Sequence, residues 1–202
     1  GSIAPIPIQL TYEVVLGSNG DLTSTRKQAV LYGSMEGGLH VLNAATGVEQ
    51  MVFVPSEILK DANASKALRG IDQAGDLSYG VGGAWVADAA YNFRQGSSDD
   101  KLYVTANQMN VYGGMRMGGK SYYGLDLLNP TSPKLLFRVG ADQTSFSRMG
   151  QSWSKPVLTN IRYNGVIKRV MIVGGGYDMC YENPQFKLGA TNSNTDYPNT
   201  AG

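Results

Sequence analysis

The sequence predicts an all-β protein: an incomplete β-propeller of about two and a half to three four-stranded antiparallel blades, with short helical turns in its loops. Three observations carry this. Short runs of aliphatic, β-branched and aromatic residues alternate with turns rich in Gly, Asn and Pro. The strand–turn–strand pattern recurs: Leu102 follows Leu31 by 71 positions, and Met171 follows Leu102 by 69. The composition, with 26 Gly and 12 Tyr in 202 residues, suits short strands joined by tight turns and argues against a helical bundle. A β-sandwich would also give many short strands, but it would not require a period.

In chain order, residues 3–7 are Pro-rich and extended. Residues 11–16 are a candidate strand closed by the turn cluster 17–21. Residues 30–33 and 39–43 are two strands around Glu36-Gly37-Gly38, whose glycines supply the backbone freedom a tight turn needs. Asn43 to Gly47 turns the chain into a further strand at 50–54. Residues 55–60 predict one or two helical turns, with Pro at the start. The polar stretch 61–76 reads as a surface loop with a helical turn near Ala67-Leu68.

A second copy follows. Its first strand is 81–93, rich in small residues, and its second is 101–106. A Gly- and Met-rich insertion at 109–120 precedes the third strand, 121–127, and the turn at Pro130 leads to the fourth, 134–139. A third copy starts with 153–162, turns at Asn164-Gly165, continues through 168–174 and breaks off. Its Lys155-Pro156-Val157-Leu158 lies 71 positions after Ala84-Trp85-Val86-Ala87. Residues 1–27 read as an N-terminal extension holding a first strand, 28–182 as propeller blades, and 183–202 as a polar loop or tail. Closed propellers use at least about four blades. The expectation is a part of a larger propeller, with the remaining blades outside this chain or supplied by a partner copy.

Charge and composition exclude several functions. The formal net charge is +1, so no basic face for nucleic acid is expected. No stretch reads as a membrane span or a signal peptide, and Gly1-Ser2 without an initiating Met reads as a cut from something longer. Catalysis has few resources. With one His, a Ser-His-acid arrangement must use His40, which reads as an ordinary mid-strand residue. Zinc would have only His40 and Cys180, and Cys180 reads as a small buried hydrophobe or as half of a disulfide whose partner lies beyond residue 202. Gly174-Gly175-Gly176 lacks the Lys-Ser/Thr of a phosphate loop. The acidic stretches 97–100 and 72–76 hold too few oxygens for a calcium shell of about six to eight ligands. No cofactor is expected in this segment.

Residues 32–47, 122–137, 153–157 and 173–177 resemble, in order and spacing, the C-terminal propeller domain of the PilC/PilY type IV pilus proteins. The resemblance covers roughly residues 28 to 182. It implies a non-enzymatic binding and structural module of a pilus-tip adhesin and assembly factor, with roles in pilus biogenesis, twitching motility and surface or host-cell adhesion. It implies pilins or minor pilins, and host-surface receptors, as partners. It implies an extracytoplasmic place: periplasm, outer membrane or the cell surface at the pilus tip of a Gram-negative bacterium. The calcium loop of family members has no counterpart here and is expected elsewhere in the parent protein, while Arg69-Gly70 is followed by Ile71, so no Arg-Gly-Asp is present. The alternative is a fragment of a quinoprotein-type (PQQ-like) propeller dehydrogenase, but Met51 stands where such enzymes place an inter-blade Trp.

Five residues are assigned to structural turns: Gly37, Gly38, Asn43, Gly47 and Asp126. Trp85, Trp153, Tyr122 and Tyr123 are assigned to blade packing. Met109, Met115, Arg116 and Met117, on the insertion, are the candidate partner-contact loop, since loops on a rigid scaffold carry binding.

Overall fold

In the computed structural model, which describes residues 3–73, 78–97 and 99–182, the chain opens on a long hairpin. β1 (Ile8–Leu16) pairs antiparallel with β2 (Leu22–Gly33). The upper half of β2 pairs with β3 (Leu39–Asn43), and β3 pairs with β4 (Glu49–Phe53). Two short helices follow, α1 (Ser56–Lys60) and α2 (Ala62–Leu68). The side chain of Asp61 caps α2 by accepting the Ala64 N–H at 2.7 Å. A second four-stranded unit comprises β5 (Trp85–Gln95), β6 (Leu102–Gly114), β7 (Ser121–Asp126) and β8 (Lys134–Gly140). A third is represented by the hairpin β9 (Val157–Tyr163) and β10 (Val166–Ile172). This is the all-β, incomplete propeller-like architecture expected from the repeats.

Alternation decides which side chains meet. Ala29, Leu31, Leu39, Val41 and Met51 sit on one face of the first unit. They pack against Trp85, Met109, Val111, Tyr123 and Leu125 of the second, with Ile58 and Ala64 of the helices closing the same core. Each fully buried Leu or Val there contributes about 1.5–3 kcal/mol of hydrophobic stabilisation.

The two units are also joined edge to edge. β6 pairs along its whole length with β5, and its other edge is shared. Residues 103–105 take β1, in the register Glu13↔Thr105, Val14↔Val104 and Val15↔Tyr103, and residues 110–114 take β7. The sheet therefore runs β4-β3-β2-β1-β6-β7-β8 without a break. At this seam the Glu13 carboxylate meets Lys27 at 2.9 Å and Arg94 at 3.4 Å, and accepts the Thr105 hydroxyl at 3.3 Å. These partners, Lys27 first, hold the carboxyl below its ordinary value. The Tyr12 hydroxyl donates to Leu127 O at 2.9 Å, and burial raises its pKa.

Three expectations are corrected. The stretch 109–120 is no insertion: β6 runs unbroken to Gly114, and Met109 and Val111 alternate inward as a strand requires. The repeat register changes with it. Asn43 pairs with Ala29 as Asp126 pairs with Asn110, and Leu31 pairs with Val41 as Tyr112 pairs with Gly124. The counterpart of Leu31 is thus Tyr112, 81 positions on, and not Leu102, because the β5–β6 hairpin reaches well beyond the point where β7 begins to pair. Residues 8–27, set apart as part of an extension, form β1 and the start of β2 and belong to the first unit. The first strands of the second and third units begin at Trp85 and Val157, close to the expected spacing. The expected tail, 183–202, lies outside the described residues, as do Ser98 and Asp76 of the two acidic stretches and the side chain of Cys180.

The β9–β10 hairpin turns at Asn164-Gly165, both with positive φ (49° and 79°), as a two-residue type I′ turn requires. Arg169 of β10 binds Asp88 of β5 at 2.7 Å, which fastens the hairpin to the second unit. On the alternate side, Val157, Ile161, Tyr163, Val166 and Ile172 form an exposed apolar face.

Candidate binding site at the hub of the blades

The beginnings of β1, β5 and β9 converge on a hub built from close backbone approaches. A Cβ on Gly83 would lie 2.1 Å from Gly114 O, so only glycine lets these segments touch. Ser152 stitches the hub together. Its hydroxyl accepts the Met115 N–H at 2.8 Å, its carbonyl accepts the Arg116 N–H at 3.0 Å, and its own N–H donates to Gly119 O at 3.1 Å. Arg116 is thereby held at φ +57°, a region a non-glycine residue rarely occupies.

Arg116 places its guanidinium 4.4 Å from the ring centroid of Trp153, a cation–π contact. The Trp153 indole N–H donates to Gln151 Oε1 at 2.9 Å, and its ring lies 6.0 Å from that of Tyr177. Trp153 separates two cavities. One, of about 450 Å³, lies over the strand beginnings, between Ile8, Trp85, Arg116, Trp153 and Lys155. The other, of about 700 Å³, is floored by Gly174, Gly175 and Gly176 between Met117, Trp153, Tyr177 and Glu182.

Of the four residues assigned to a contact loop, the hub receives two at its surface, Arg116 and Met117. Met109 (1% exposed) and Met115 (0% exposed) are core residues and cannot meet a partner. Trp153, expected from the sequence to pack between strands, is exposed at the divide between the cavities. Its signal in the sequence was weak, because the contact with Arg116 is tertiary. Trp85, Tyr122 and Tyr123 are buried, and burial raises the pKa of the Tyr123 phenol.

The assigned turn residues lie away from the hub cavities: Gly37, Gly38 and Gly47 in loops, Asn43 and Asp126 at the ends of β3 and β7. Gly37 has φ +111°, and a Cβ there would lie 2.5 Å from Ile58 Cγ2. A Cβ on Gly38 would lie 2.6 Å from His40 Nε2, and Gly47 has φ +71°. Asn43 Oδ1 accepts the N–H groups of Ala45 and Thr46 at 2.9 and 3.0 Å, and Asp126 Oδ1 accepts the Leu128 N–H at 2.9 Å.

His40 keeps more company than a simple face residue. Its Nδ1 lies 2.7 Å from Glu49 Oε2, its Nε2 lies 3.2 Å from Ser34 Oγ, and its ring stacks on Tyr32 at 4.9 Å. Ser34 is 3% exposed and its Oγ also accepts the Gly38 N–H at 3.2 Å. For metals, no cluster of three or more His, Cys, Asp or Glu side chains occurs among the described residues. Asp99 has both oxygens engaged, by the Tyr103 hydroxyl at 2.6 Å and the Lys101 N–H at 3.3 Å, as in a side-chain-braced turn.

Fold and hub together define a class: a partial propeller-like module with ligand-sized cavities where its first strands begin. No family profile matches the chain. The type IV pilus biogenesis factor PilY1 of Pseudomonas aeruginosa strain PAK is 30% identical over 153 residues, 76% of this chain. PilY1 of strain UCBPP-PA14 is 29% identical over 153 residues, 75% of this chain. The crystal structure of the P. aeruginosa PilY1 C-terminal domain superposes with a TM-score of 0.50 at 26% identity, covering 76% of this chain and 25% of that one. The chain is homologous to part of the PilY1 C-terminal domain. It spans 12% of the length of the curated relatives it matches.

Proposed function

We propose that this chain is a non-enzymatic binding and structural module of a type IV pilus biogenesis factor. It acts outside the cytoplasm of a Gram-negative cell, at the pilus tip or the outer surface, and contacts pilins or minor pilins. Twitching motility and adhesion to surfaces or host receptors are its downstream outputs. The observation that carries the reading is the match to PilY1, a type IV pilus biogenesis factor, over 153 residues. The exposed hub with Arg116 and Met117 supports it, because it offers a contact surface on a rigid scaffold. Among the described residues no helix is long and apolar enough to cross a membrane. Calcium belongs, in this reading, to another segment of the parent protein.

The test is genetic and spectroscopic. Cells whose parent protein lacks residues 8–172 are expected to lose surface pili and twitching zones, and unchanged piliation overturns the reading. An absorbance spectrum of the purified parent is expected to show no quinone; a bound quinone would favour a redox enzyme instead.

A further inference from the structure

We propose that the cavity of about 450 Å³ over the strand beginnings binds an acidic peptide, taking a carboxylate carried beside an apolar side chain. Its size falls within the roughly 300–1,000 Å³ of ordinary ligand sites. Two cations stand in its wall, Arg116 and Lys155, and among the described residues neither has a carboxylate partner. The cavity is therefore positively charged in a chain whose net charge is only +1.

Arg116 is set for this task by more than its charge. The backbone is held in the left-handed region by Ser152, and the guanidinium is laid on Trp153. Backbone strain of this kind persists where surrounding structure enforces it, and it fixes the direction of a side chain. A guanidinium fork held in one orientation loses little entropy when it grips a carboxylate in two parallel hydrogen bonds. Trp85 lines the same cavity with its apolar ring and is 4% exposed.

The remaining walls choose the rest of the ligand. Pro5, Ile8, Trp85 and Trp153 are apolar, so they favour a carboxylate on an apolar neighbour over a fully hydrated phosphate. One wall is itself an extended chain. Ile3 bridges to Ser34, and the Ala4 N–H donates to Gly33 O at 3.2 Å. A groove flanked by extended backbone suits an extended peptide.

Both tryptophans of the chain line this cavity, so intrinsic fluorescence reports on it directly. The 202-residue chain is titrated with a capped Phe-Glu-Leu peptide, with the same peptide carrying Gln for Glu, and with inorganic phosphate. A saturable change is expected with the Glu peptide, weakening as salt is added. The Gln peptide is expected to bind at least tenfold more weakly, as is the Glu peptide to Arg116→Gln. Lys155→Gln, on an exposed side chain, is expected to weaken binding several-fold and guards against a folding defect in the first variant. Equal binding of the Glu and Gln peptides, affinity unchanged in both variants, or a response to phosphate alone overturns the proposal.

Discussion

Glu49 Oε2 approaches His40 Nδ1 to 2.7 Å across the β3–β4 pair, and the far nitrogen of the same ring reaches Ser34 Oγ at 3.2 Å. The order, carboxylate to imidazole to hydroxyl, is that of a serine hydrolase. The surroundings are not. Ser34 is almost wholly buried in a turn, and its oxygen already receives the Gly38 N–H. At the matching places the second unit has Met115 and Tyr123 and still forms an antiparallel β6–β7 hairpin. The network is a polar staple for the first unit's turn. Ser34→Ala and His40→Ala are each expected to lower stability by about 1 kcal/mol in urea melts. Hydrolysis of p-nitrophenyl acetate is expected to stay at background in wild type and both variants. Turnover abolished by Ser34→Ala would falsify the non-enzymatic reading.

Met109 and Met115 are expected to behave as core residues. Replacing either by Ala should cost about 2–5 kcal/mol in denaturant melts. Met117→Ala, at the exposed edge of the hub, should change stability by no more than about 0.5 kcal/mol. Deleting 109–120 should therefore unfold the second unit, which makes such a deletion unsuitable as a test of partner contact. Point changes at Arg116 and Met117 serve that purpose.

The repeated strands, the Asn164-Gly165 turn and the paired turn residues Asn43 and Asp126 were legible from local chemistry. What failed was the length of β6. Its run through Gln108, Asn110 and two glycines looks like a loop when read alone. Only the β5 ladder on one side and the core on the other show that Met109 and Val111 point inward. The misplaced second-strand match followed from that one error. The hub was illegible for a similar reason. Arg116 and Trp153 are 37 positions apart, and no local pattern announces that Ser152 will bring them together.

The seam between the units should be sensitive to acid. The Glu13 pKa is depressed in the folded chain, so its stabilisation is present above the unfolded carboxyl value of about 4.3. It is lost as pH falls through the depressed folded value. Lys27 and Arg94 are exposed, which limits the effect to about 1 kcal/mol. Glu13→Gln is expected to flatten the acid limb of a plot of urea midpoint against pH. An unchanged acid limb would show that the seam does not depend on this carboxylate.

Arg169→Ala should free the β9–β10 hairpin from β5 without disturbing the first two units. Amide hydrogen exchange is the measurement. Exchange along 157–172 is expected to speed up several-fold while β3 and β7 keep their protection. Uniform acceleration throughout would mean that the Asp88 contact supports the whole fold.

The pairing of β1 with β6 also sets an order of events in time. Glu13 and Thr105 are 92 positions apart, so the first strand of the chain waits for its neighbour while most of two units are still being made. At about 5–20 residues per second this is a delay of roughly 5–20 s. Throughout it, one edge of the opening hairpin stands unpaired, and such an edge is a template for wrong partners. Glu13 and Lys27 place charges on that hairpin, and charged side chains on an edge strand discourage wrong pairing.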